Sequence, residues 1–490
     1  MGCFVSKNNC QSSNKALEEF HSNPSPHKSA IDPSIITMDI RKFYVFEERI
    51  GKGHFGEVYL VHRINDINKK FAVKSISKPQ FSTHNVKYVK SEIENLQALD
   101  HPNIIKLYES YEDDEHIHLV TEYCSGGKLL TKMKKKPIFT EVEAAAIIMK
   151  ILRAVKYLHE RGICHRDIKP DNFLLETEAE DSDIKMIDFG LSHKLEGKVK
   201  RMKSTVGTLN YVAPEVLKGN YGFKCDLWSV GIIMFILLTG DMPIKGRYQA
   251  EILESLRNYQ LNTDSEEWAQ LSPWAQNLLT NLLEKDPNRR YDAQTVLKHQ
   301  WLQDNYKVPR KAIDPKIFEA LKSSKITCKF QKEVLDFIVK NIDCEELRDL
   351  KNAFLDLDTE NIGALTFSEL ESALQTMNHS NKSEEVKRII TNLKAEDSMK
   401  LNYSEFLAAT FSSKLKFGKE LLKVGFKHFD RDNKGFINEE DIYEALKRSG
   451  RKIKKKKVHE IFAEIDADET GKINFKQFRN ILLGKSRNRI

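Results

Sequence analysis

The spacing of apolar residues along the chain changes from a strand pattern to a helical pattern after Cys124. Residues 43–78 alternate apolar and polar positions around a glycine-rich turn, and their β-branched and aromatic residues favour strands. Segments 141–158 and 225–238 instead carry apolar residues at helical spacing. The pattern predicts a small β-rich lobe followed by a larger helical lobe that ends at Trp301.

Residues 302–346, here called the connector, are amphipathic. Six apolar residues recur at helical spacing among lysines, namely Phe318, Leu321, Phe330, Val334, Leu335 and Phe337. A segment this apolar is not an inert linker, so we expect it to dock on another part of the protein.

Residues 347–484, here called the EF lobe, contain a fourfold repeat. Four positions recur every 36 residues, and an aliphatic residue follows each of them seven residues later: Asp358 with Leu365, Lys394 with Leu401, Asp430 with Ile437, and Asp466 with Ile473. Glycine stands at the sixth loop position in three units: Gly363, Gly435 and Gly471. This is the helix-loop-helix pattern of EF-hands. The predicted units are 347–378, 383–414, 419–450 and 455–484.

Composition indicates a globular protein of several domains. The 490 residues exceed what one hydrophobic core usually serves, and the longest apolar run, 230–238, is far shorter than the ~20 residues that cross a bilayer. The seven cysteines show no zinc spacing, so we expect reduced thiols and a cytoplasmic location. A net charge of +7 is modest, and we expect no nucleic-acid binding and a monomer.

The stretch from His165 to Asn172, followed by Asp188-Phe189-Gly190, carries the residue types needed for phosphoryl transfer. Asp167 is the expected base for a substrate hydroxyl, while Asn172 and Asp188 supply oxygen ligands to magnesium. Lys169 and Thr208 resemble the residues that serine/threonine kinases place beside this base.

A glycine-rich turn before this stretch predicts the ATP site. Lys74 is expected to contact the α- and β-phosphates, and its ion partner is Glu92 or, alternatively, Glu94. The turn consists of Gly51, Gly53, Phe55, Gly56 and Val58. The adenine pocket is expected to include Ile50, Ala72, Thr121 as gatekeeper, Glu122 and Cys124 through their backbone groups, and Leu174 as floor.

Taken together, these features resemble the calcium-dependent protein kinases over residues 43–483. The resemblance implies an α+β bilobal kinase fold followed by an all-α EF-hand domain, transfer of the ATP γ-phosphate to serine or threonine of protein substrates, and relief of autoinhibition by calcium. The implied parts are an N-terminal arm at 1–42, a kinase domain at 43–301, an autoinhibitory junction at 302–346, the EF-hands at 347–484 and a tail at 485–490. A non-catalytic scaffold would require a broken Lys74, Asp167, Asn172 or Asp188, and all four are present.

None of the four predicted loops has the full set of ligands that calcium takes from positions 1, 3, 5, 7, 9 and 12. The first loop keeps Asp358, Glu360 and Glu369 but has Ile362 at position 5. The second begins with Lys394, which places a cation where the ion would bind. We expect no calcium in the second loop.

The last two loops also depart from the pattern. The third has Lys434 at position 5 and the shorter acid Asp441 at position 12, and the fourth closes on the neutral Gln477. Their remaining ligand types are Asp430, Asp432 and Asn438 in the third loop and Asp466, Asp468 and Thr470 in the fourth. From residue 347 onward there are 28 basic and 23 acidic residues, a net +5, whereas calcium modules are usually acidic. The sequence therefore predicts a weakened calcium response or, alternatively, a calcium-insensitive docking lobe.

The N-terminal residues indicate a lipid anchor. Gly2 fits an N-myristoylation site once Met1 is removed, and Cys3 is placed for palmitoylation. Two lipid signals anchor a protein to a membrane where one binds only marginally. We therefore expect a peripheral membrane protein.

Two further expectations concern regulation and specificity. The connector lysines, with Ser323 and Ser324 among them, are expected to occupy the substrate cleft while the apolar face of the connector contacts the EF lobe, so truncation near Asn305 should raise basal activity. Lys128 stands where related kinases usually carry a glutamate that contacts a basic substrate residue. We expect less basic substrates.

Overall fold

A computed structural model describes residues 35–482 except for 53–55, 65, 79–82, 196–200, 307–313, 325–328, 342–344, 376–385, 390–399, 415–418, 449–452 and 467. Gly2, Cys3, Gly53, Phe55 and Lys394 are predicted functional residues that lie outside this part of the chain.

The small lobe, residues 35–123, is built on a six-stranded sheet with one helix. Its strands are β1 (Ile36–Thr37), β2 (Tyr44–Lys52), β3 (Gly56–Arg63), β4 (Asp66–Ser77), β5 (Leu107–Glu112) and β6 (His116–Glu122), and its helix is α1 (Thr83–Ala98). The strand order is β1-β5-β6-β4-β3-β2, in which only the short β1 pairs in parallel. The small lobe contributes two predicted residues to the cleft between the kinase lobes, because β4 carries Lys74 and α1 carries Glu92.

The large lobe, residues 124–306, is mostly helical. Its helices are α2 (Leu129–Lys135), α3 (Glu141–Glu160), α4 (Pro214–Leu217), α5 (Lys224–Thr239), α6 (Gln249–Arg257), α7 (Glu266–Ala269), α8 (Pro273–Leu282), α9 (Ala293–Leu297) and α10 (Gln300–Asn305). Two short antiparallel pairs accompany them, β7 (Ile163–Cys164) with β10 (His193–Lys194) and β8 (Phe173–Leu175) with β9 (Ile184–Met186).

The core of the large lobe forms around α3 and α5. Helix α3 begins with a capping box between Thr140 and Glu143, and α5 ends at Gly240 in a left-handed conformation. Nearly every residue of α5 is buried, as its continuous apolar sequence requires. Trp301 is also fully buried, and the same apolar cluster includes Leu302.

The connector and the EF lobe share one all-α core. The connector forms α11 (Pro315–Ser323) and α12 (Lys329–Asn341). The EF lobe forms α13 (Glu345–Leu357), β11 (Ala364–Thr366), α14 (Phe367–Gln375), β12 (Lys400–Asn402), α15 (Tyr403–Lys414), α16 (Lys419–Phe429), β13 (Phe436–Ile437), α17 (Glu439–Arg448), α18 (Lys455–Ala463), β14 (Ile473–Asn474) and α19 (Phe475–Leu482).

Short antiparallel strands join the repeats in pairs. Leu365 faces Leu401 in the β11–β12 pair, and Ile437 faces Ile473 in the β13–β14 pair. These are the aliphatic residues of the 36-residue repeat, and all four are buried. The predicted α+β class is confirmed.

The described part of the connector packs into the EF lobe. Phe318, Leu321, Phe330 and Val334 are buried in the same apolar cluster as residues of α15, α16 and α19. Ser324 is also buried, and the hydroxyl of Ser323 donates to the carbonyl of Ala320. The apolar face of the connector therefore contacts the EF lobe, as expected, while the placement of its lysines in the substrate cleft stays a prediction.

Candidate active site and EF loops

A buried ion pair connects the small lobe to the magnesium motif. The Nζ of Lys74 on β4 donates to Oε1 of Glu92 on α1 at 2.6 Å and lies 3.8 Å from Oδ1 of Asp188. Burial raises the pKa of Asp188, but the positive charge of Lys74, together with neighbouring charges and a backbone hydrogen bond, holds that pKa below its ordinary value. Of the two predicted partners of Lys74, Glu92 is the one in contact, whereas Glu94 is exposed.

The carboxylate of Asp167 is the centre of a second polar cluster. Lys169 Nζ donates to its Oδ2 at 2.7 Å, and Thr208 Oγ1 donates to its Oδ1 at 2.8 Å. Lys169 Nζ also donates to Thr208 Oγ1 at 2.8 Å. The amide nitrogen of Asn172 donates to the carbonyl of Asp167 at 2.8 Å and to its Oδ2 at 3.0 Å, which leaves the amide oxygen of Asn172 as an acceptor. The structure thus brings four of the five predicted catalytic residues together, and the fifth, Asp188, lies beside Lys74 in the first cluster.

Asp226 on α5 holds the backbone of this cluster. Its carboxylate accepts hydrogen bonds from the backbone N–H groups of His165 and Arg166, both at 2.9 Å, and contacts His159 Nε2 at 2.8 Å. Arg166 has a φ of 69° and Asp188 one of 64°, conformations that persist for non-glycine residues only when their surroundings fix them. The sequence patterns did not reveal the contribution of His159, because a histidine near the end of an amphipathic helix carries no distinguishing signal.

Besides the contacts of Thr208, further contacts tie the segment between Asp188 and α4, and the start of α4, to the large lobe. Arg166 Nη1 donates to the hydroxyl of Ser204 at 2.7 Å. Glu215 accepts two hydrogen bonds from the buried Arg290, at 2.5 and 2.9 Å. This bidentate pair fixes the end of the segment.

The predicted nucleotide-pocket residues lie on strands of both lobes and on the segment that joins the lobes. Thr121 Oγ1 donates to the carbonyl of Ala72 across the β4–β6 pair at 3.3 Å. The backbone of Leu174 pairs with that of Lys128 in an isolated antiparallel β-bridge. The Glu122 side chain accepts from the backbone of Lys106 at 2.8 Å, and thus takes part in packing rather than in the cleft. The remaining predicted pocket residues that the structure describes are Ile50, Gly51, Gly56, Val58 and Cys124, of which Cys124 is buried.

Gly56 explains part of the glycine-rich turn. A Cβ atom on Gly56 would lie 1.9 Å from the carbonyl oxygen of Ser75 on the neighbouring strand β4. Only glycine permits β3 to approach β4 this closely. Lys128, the residue that departs from related kinases, is exposed and its Nζ lies 3.9 Å from Oδ1 of Asp171.

The first EF loop faces the kinase core. The carboxylate of Asp358 accepts from the backbone N–H groups of Ile362 and Gly363 at 2.9 and 2.8 Å. Glu369 accepts from the backbone of Glu360 at 2.9 Å, and the side chain of Glu360 contacts Gln294 on α9 at 3.3 Å. Burial raises the pKa of Asp358 to about 6. Two buried carboxylates at positions 1 and 12 are suited to a cation.

In the third loop a lysine lies among the predicted calcium ligands. Lys434 Nζ donates to Oδ1 of Asp441 at 2.7 Å and lies 3.5 Å from Oδ2 of Asp432. This hydrogen bond to Asp441 raises the pKa of Lys434. Asp430 accepts from the backbone N–H groups of Lys434 and Gly435, both at 2.8 Å, while Asn438 accepts from the backbone of Asp441 at 2.9 Å.

The fourth loop closes on a neutral group. Asp466 accepts from the backbone N–H groups of Thr470 and Gly471 at 3.2 and 2.7 Å. Gln477 Nε2 donates to Oδ2 of Asp468 at 2.9 Å. The amide of Gln477 thus occupies position 12 without adding charge.

The EF lobe docks on both kinase lobes through polar contacts that the sequence patterns did not reveal. Lys351 forms ion pairs with Glu176 at 2.6 Å and Asp183 at 2.7 Å on the large lobe. Ser404 donates to Asp100 through both its backbone N–H and its hydroxyl, at 2.9 and 2.8 Å. These residues are isolated polar positions without periodicity, so nothing in the sequence distinguished them from an exposed surface.

Two contacts fix the first loop on α3. Arg153 Nε donates to Oδ1 of Asn361 at 2.9 Å, and Arg161 donates to the carbonyl of Ile362 at 3.2 Å. Gly363 lies against Tyr157 so closely that an added Cβ would be 2.3 Å from the ring.

The fold has two lobes, an ion pair between Lys74 and Glu92, and a buried polar cluster around Asp167. These features define a protein kinase, which is followed here by a C-terminal EF-hand region. Residues 44–302 match the protein kinase domain family, and residues 419–483 match the EF-hand domain pair family. The chain belongs to the calcium-dependent protein kinases, as the sequence predicted, and is a serine/threonine protein kinase.

Curated relatives cover nearly the whole chain. Calcium-dependent protein kinase 19 of Arabidopsis thaliana is 36% identical over 450 residues, which are 91% of this chain and 81% of that protein. Calcium-dependent protein kinase 2 of Zea mays is 34% identical over 449 residues, which are 91% of this chain and 87% of that protein. Among the described residues, no helix has the length and apolar character needed to cross a membrane.

Proposed function

We propose that Asp167 is the base that orients and deprotonates the serine or threonine hydroxyl of a protein substrate. The observation that carries this proposal is the set of contacts made by its carboxylate to Lys169, Thr208 and Asn172. Lys169 and Thr208 fix the carboxylate, and Lys169 is placed to offset negative charge that develops nearby.

The cleft fits ATP with magnesium. Asn172 and Asp188 offer an amide oxygen and a carboxylate, the ligand types that magnesium prefers, and the Asp188 side chain is 34% exposed. Magnesium bound there would neutralise charge on the transferred phosphate. Lys74, fixed by Glu92, is placed to hold the α- and β-phosphates. The backbone of Gly51 and Gly56 would cover the phosphates, and Glu122 and Cys124 would present backbone groups to adenine.

We further propose that calcium regulates this kinase weakly, mainly through the first EF loop. Asp358 and Glu369 are buried carboxylates, and the loop that carries them contacts α3 through Asn361. A cation bound at this loop would therefore act directly on the kinase interface. The cavity beside this loop has a volume of about 530 Å³ and is lined by residues of the large kinase lobe and of the EF lobe. The first loop lacks only its ligand at position 5, whereas the other loops carry a lysine at position 1 or 5 or a neutral residue at position 12.

The alternative function, a calcium-insensitive docking lobe, is favoured by a different observation. Two contacts that hold the EF lobe on the kinase, Lys351 with Glu176 and Ser404 with Asp100, involve none of the predicted calcium ligands. Docking through such contacts would persist without the ion.

One assay separates the two functions. Phosphorylation of a serine peptide by the full-length protein is measured in calcium and in chelator, with magnesium fixed. A modest rise with calcium, lost in Asp358→Ala, supports regulation through the first loop. Equal rates in both conditions support the docking lobe, and no phosphorylation in either would contradict the proposed catalysis. Peptides with and without basic residues before the serine would test whether Lys128 relaxes the preference for basic substrates.

Attachment to membranes is also proposed, through acylation of Gly2 and Cys3. The support is the sequence motif alone.

A further inference from the structure

In the third EF loop, the side chains at the calcium-ligand positions include a lysine as well as three aspartates. Loop positions 1, 3, 5 and 12 are those that face a bound calcium ion, and here they are Asp430, Asp432, Lys434 and Asp441. The ammonium of Lys434 lies 2.7 Å from Asp441 and 3.5 Å from Asp432. It thus joins the two carboxylates that calcium would otherwise join.

The rest of the loop has the conformation of the other described EF loops. Asn433 at position 4 has a φ of 52° and Gly435 at position 6 one of 82°, close to the values of Asn361 and Gly363 in the first loop. The second oxygen of Asp441 accepts from the backbone of Asn438 at 2.8 Å. Lys434 therefore closes a loop of ordinary shape. A calcium ion would have to displace this ammonium, because two cations cannot share the position.

The neighbouring residue docks the loop on the small lobe. Arg431, at position 2, donates to both carboxylate oxygens of Glu109 on β5, at 3.0 and 3.3 Å, and its guanidinium lies 4.2 Å from the ring centre of Phe43. Glu109 is 3% exposed and also accepts from the hydroxyls of Tyr44 and Tyr111. Arg63 on β3 also lies 3.8 Å from Oε1 of Glu109, so the buried carboxylate is held between two cations, and removing the nearer one, Arg431, is unfavourable.

We propose that the third EF-hand carries its own cation: Lys434 replaces calcium, holds the loop closed and keeps Arg431 on Glu109 in the absence of calcium. The inference rests on the proposed function of the EF lobe as a regulator of the kinase, and it assigns the third loop a constant role. Calcium control is thereby left to other loops.

Calcium titration of the full-length protein tests the first half. Asp432→Ala, which removes the ligand at position 3, should bind the same number of calcium ions as wild type, because the third loop takes none. The double variant Lys434→Asp with Asp441→Glu should gain one site per chain, because it restores oxygen ligands at positions 5 and 12. Loss of one site in Asp432→Ala, or no gain in the double variant, would overturn the assignment of the cation.

Hydrogen exchange of residues 107–112 tests the second half. In wild type the exchange should be equal in calcium and in chelator. Lys434→Met and Arg431→Met should each accelerate it several-fold in both conditions, whereas Lys476→Met, an exposed lysine of the same lobe, should not. If Lys434→Met exchanges like wild type, the lysine does not hold the docked loop.

Neither readout requires catalysis. A protein that gives both expected results but phosphorylates no peptide would contradict the proposed function alone. An active kinase with a calcium-filled third loop would contradict this inference alone.

Discussion

Asp167 is a buried carboxylate whose position depends on three side chains. Lys169 and Thr208 contact its two oxygens, and Asn172 contacts its backbone and side chain. The sequence identified these residues because phosphoryl transfer requires fixed residue types at fixed spacings. It did not identify Asp226 as the acceptor for two backbone amides of the same loop, since that contact depends on how α5 packs.

Asp167→Asn should lower the rate of peptide phosphorylation by about 10²–10⁴-fold, because an amide cannot accept the substrate proton. ATP affinity should remain close to that of wild type, since the proposed nucleotide contacts lie elsewhere. Turnover is measured with a serine peptide, and nucleotide affinity by fluorescence titration. Asp181→Asn, an exposed aspartate of the large lobe, serves as control. Turnover near that of wild type would show that Asp167 is not the base.

Arg290→Leu should lower the free energy of unfolding of the kinase region by about 3–5 kcal/mol, because Glu215 would remain buried without its cation. The midpoint of urea unfolding, followed by tryptophan fluorescence, measures this change. Arg289→Leu removes the neighbouring charge, whose side chain is 79% exposed, and should leave the midpoint nearly unchanged. Equal midpoints for both variants would mean that the buried pair contributes little.

At the scale of elements, α11 and α12 show what an amphipathic pattern does and does not predict. Their apolar residues were expected to dock, and Phe318 and Phe330 are indeed buried. The pattern indicates that a face needs cover, but it does not say which surface covers it. We expected the EF lobe to cover this face and the connector lysines to reach the substrate cleft, and the structure shows the first of these contacts.

The EF loops offer a matched pair of glycines that differ only in what lies outside the loop. Gly363 and Gly435 occupy the same loop position with φ values of 69° and 82°, yet only Gly363 lies against another element, at Tyr157 on α3. Alanine at either position strains the left-handed backbone by about 1–2 kcal/mol. Only at Gly363 does the added methyl group also meet the kinase.

Gly363→Ala should therefore loosen the contact between the first loop and α3, while Gly435→Ala should not. Hydrogen exchange in residues 153–161 is the readout, and we expect faster exchange in the first variant alone. If both variants accelerate exchange in this helix equally, strain within the EF lobe and not the contact with Tyr157 is responsible.

At the scale of the whole molecule, the docked arrangement was the part that the sequence could not predict. The folds of the kinase region and the EF lobe follow from periodicity and repeats, because each buries its own apolar residues. The interface between them relies on charged and polar residues such as Lys351, Glu176 and Asp100. Such residues are equally common on free surfaces, so only the folded chain identifies their partners.

Gly2→Ala should move the full-length protein from the membrane fraction to the soluble fraction of cells, because the myristoylation motif requires glycine at position 2. Cys3→Ser should weaken retention to a smaller extent, since one lipid chain binds marginally. Immunoblots of fractionated cells measure both effects, with Ser6→Ala as a milder change in the same motif. Membrane retention of Gly2→Ala and Cys3→Ser at wild-type level would exclude this anchor.

The docked EF lobe touches both halves of the enzyme, through Arg431 on the small lobe and Lys351 on the large lobe. It therefore links the two lobes of the kinase and opposes their separation. In many enzymes the spent product leaves only when the two halves part, and that step limits turnover. We expect the docked EF lobe to slow the release of ADP. The EF lobe would then control the turnover rate of this kinase as well as whether the kinase is active.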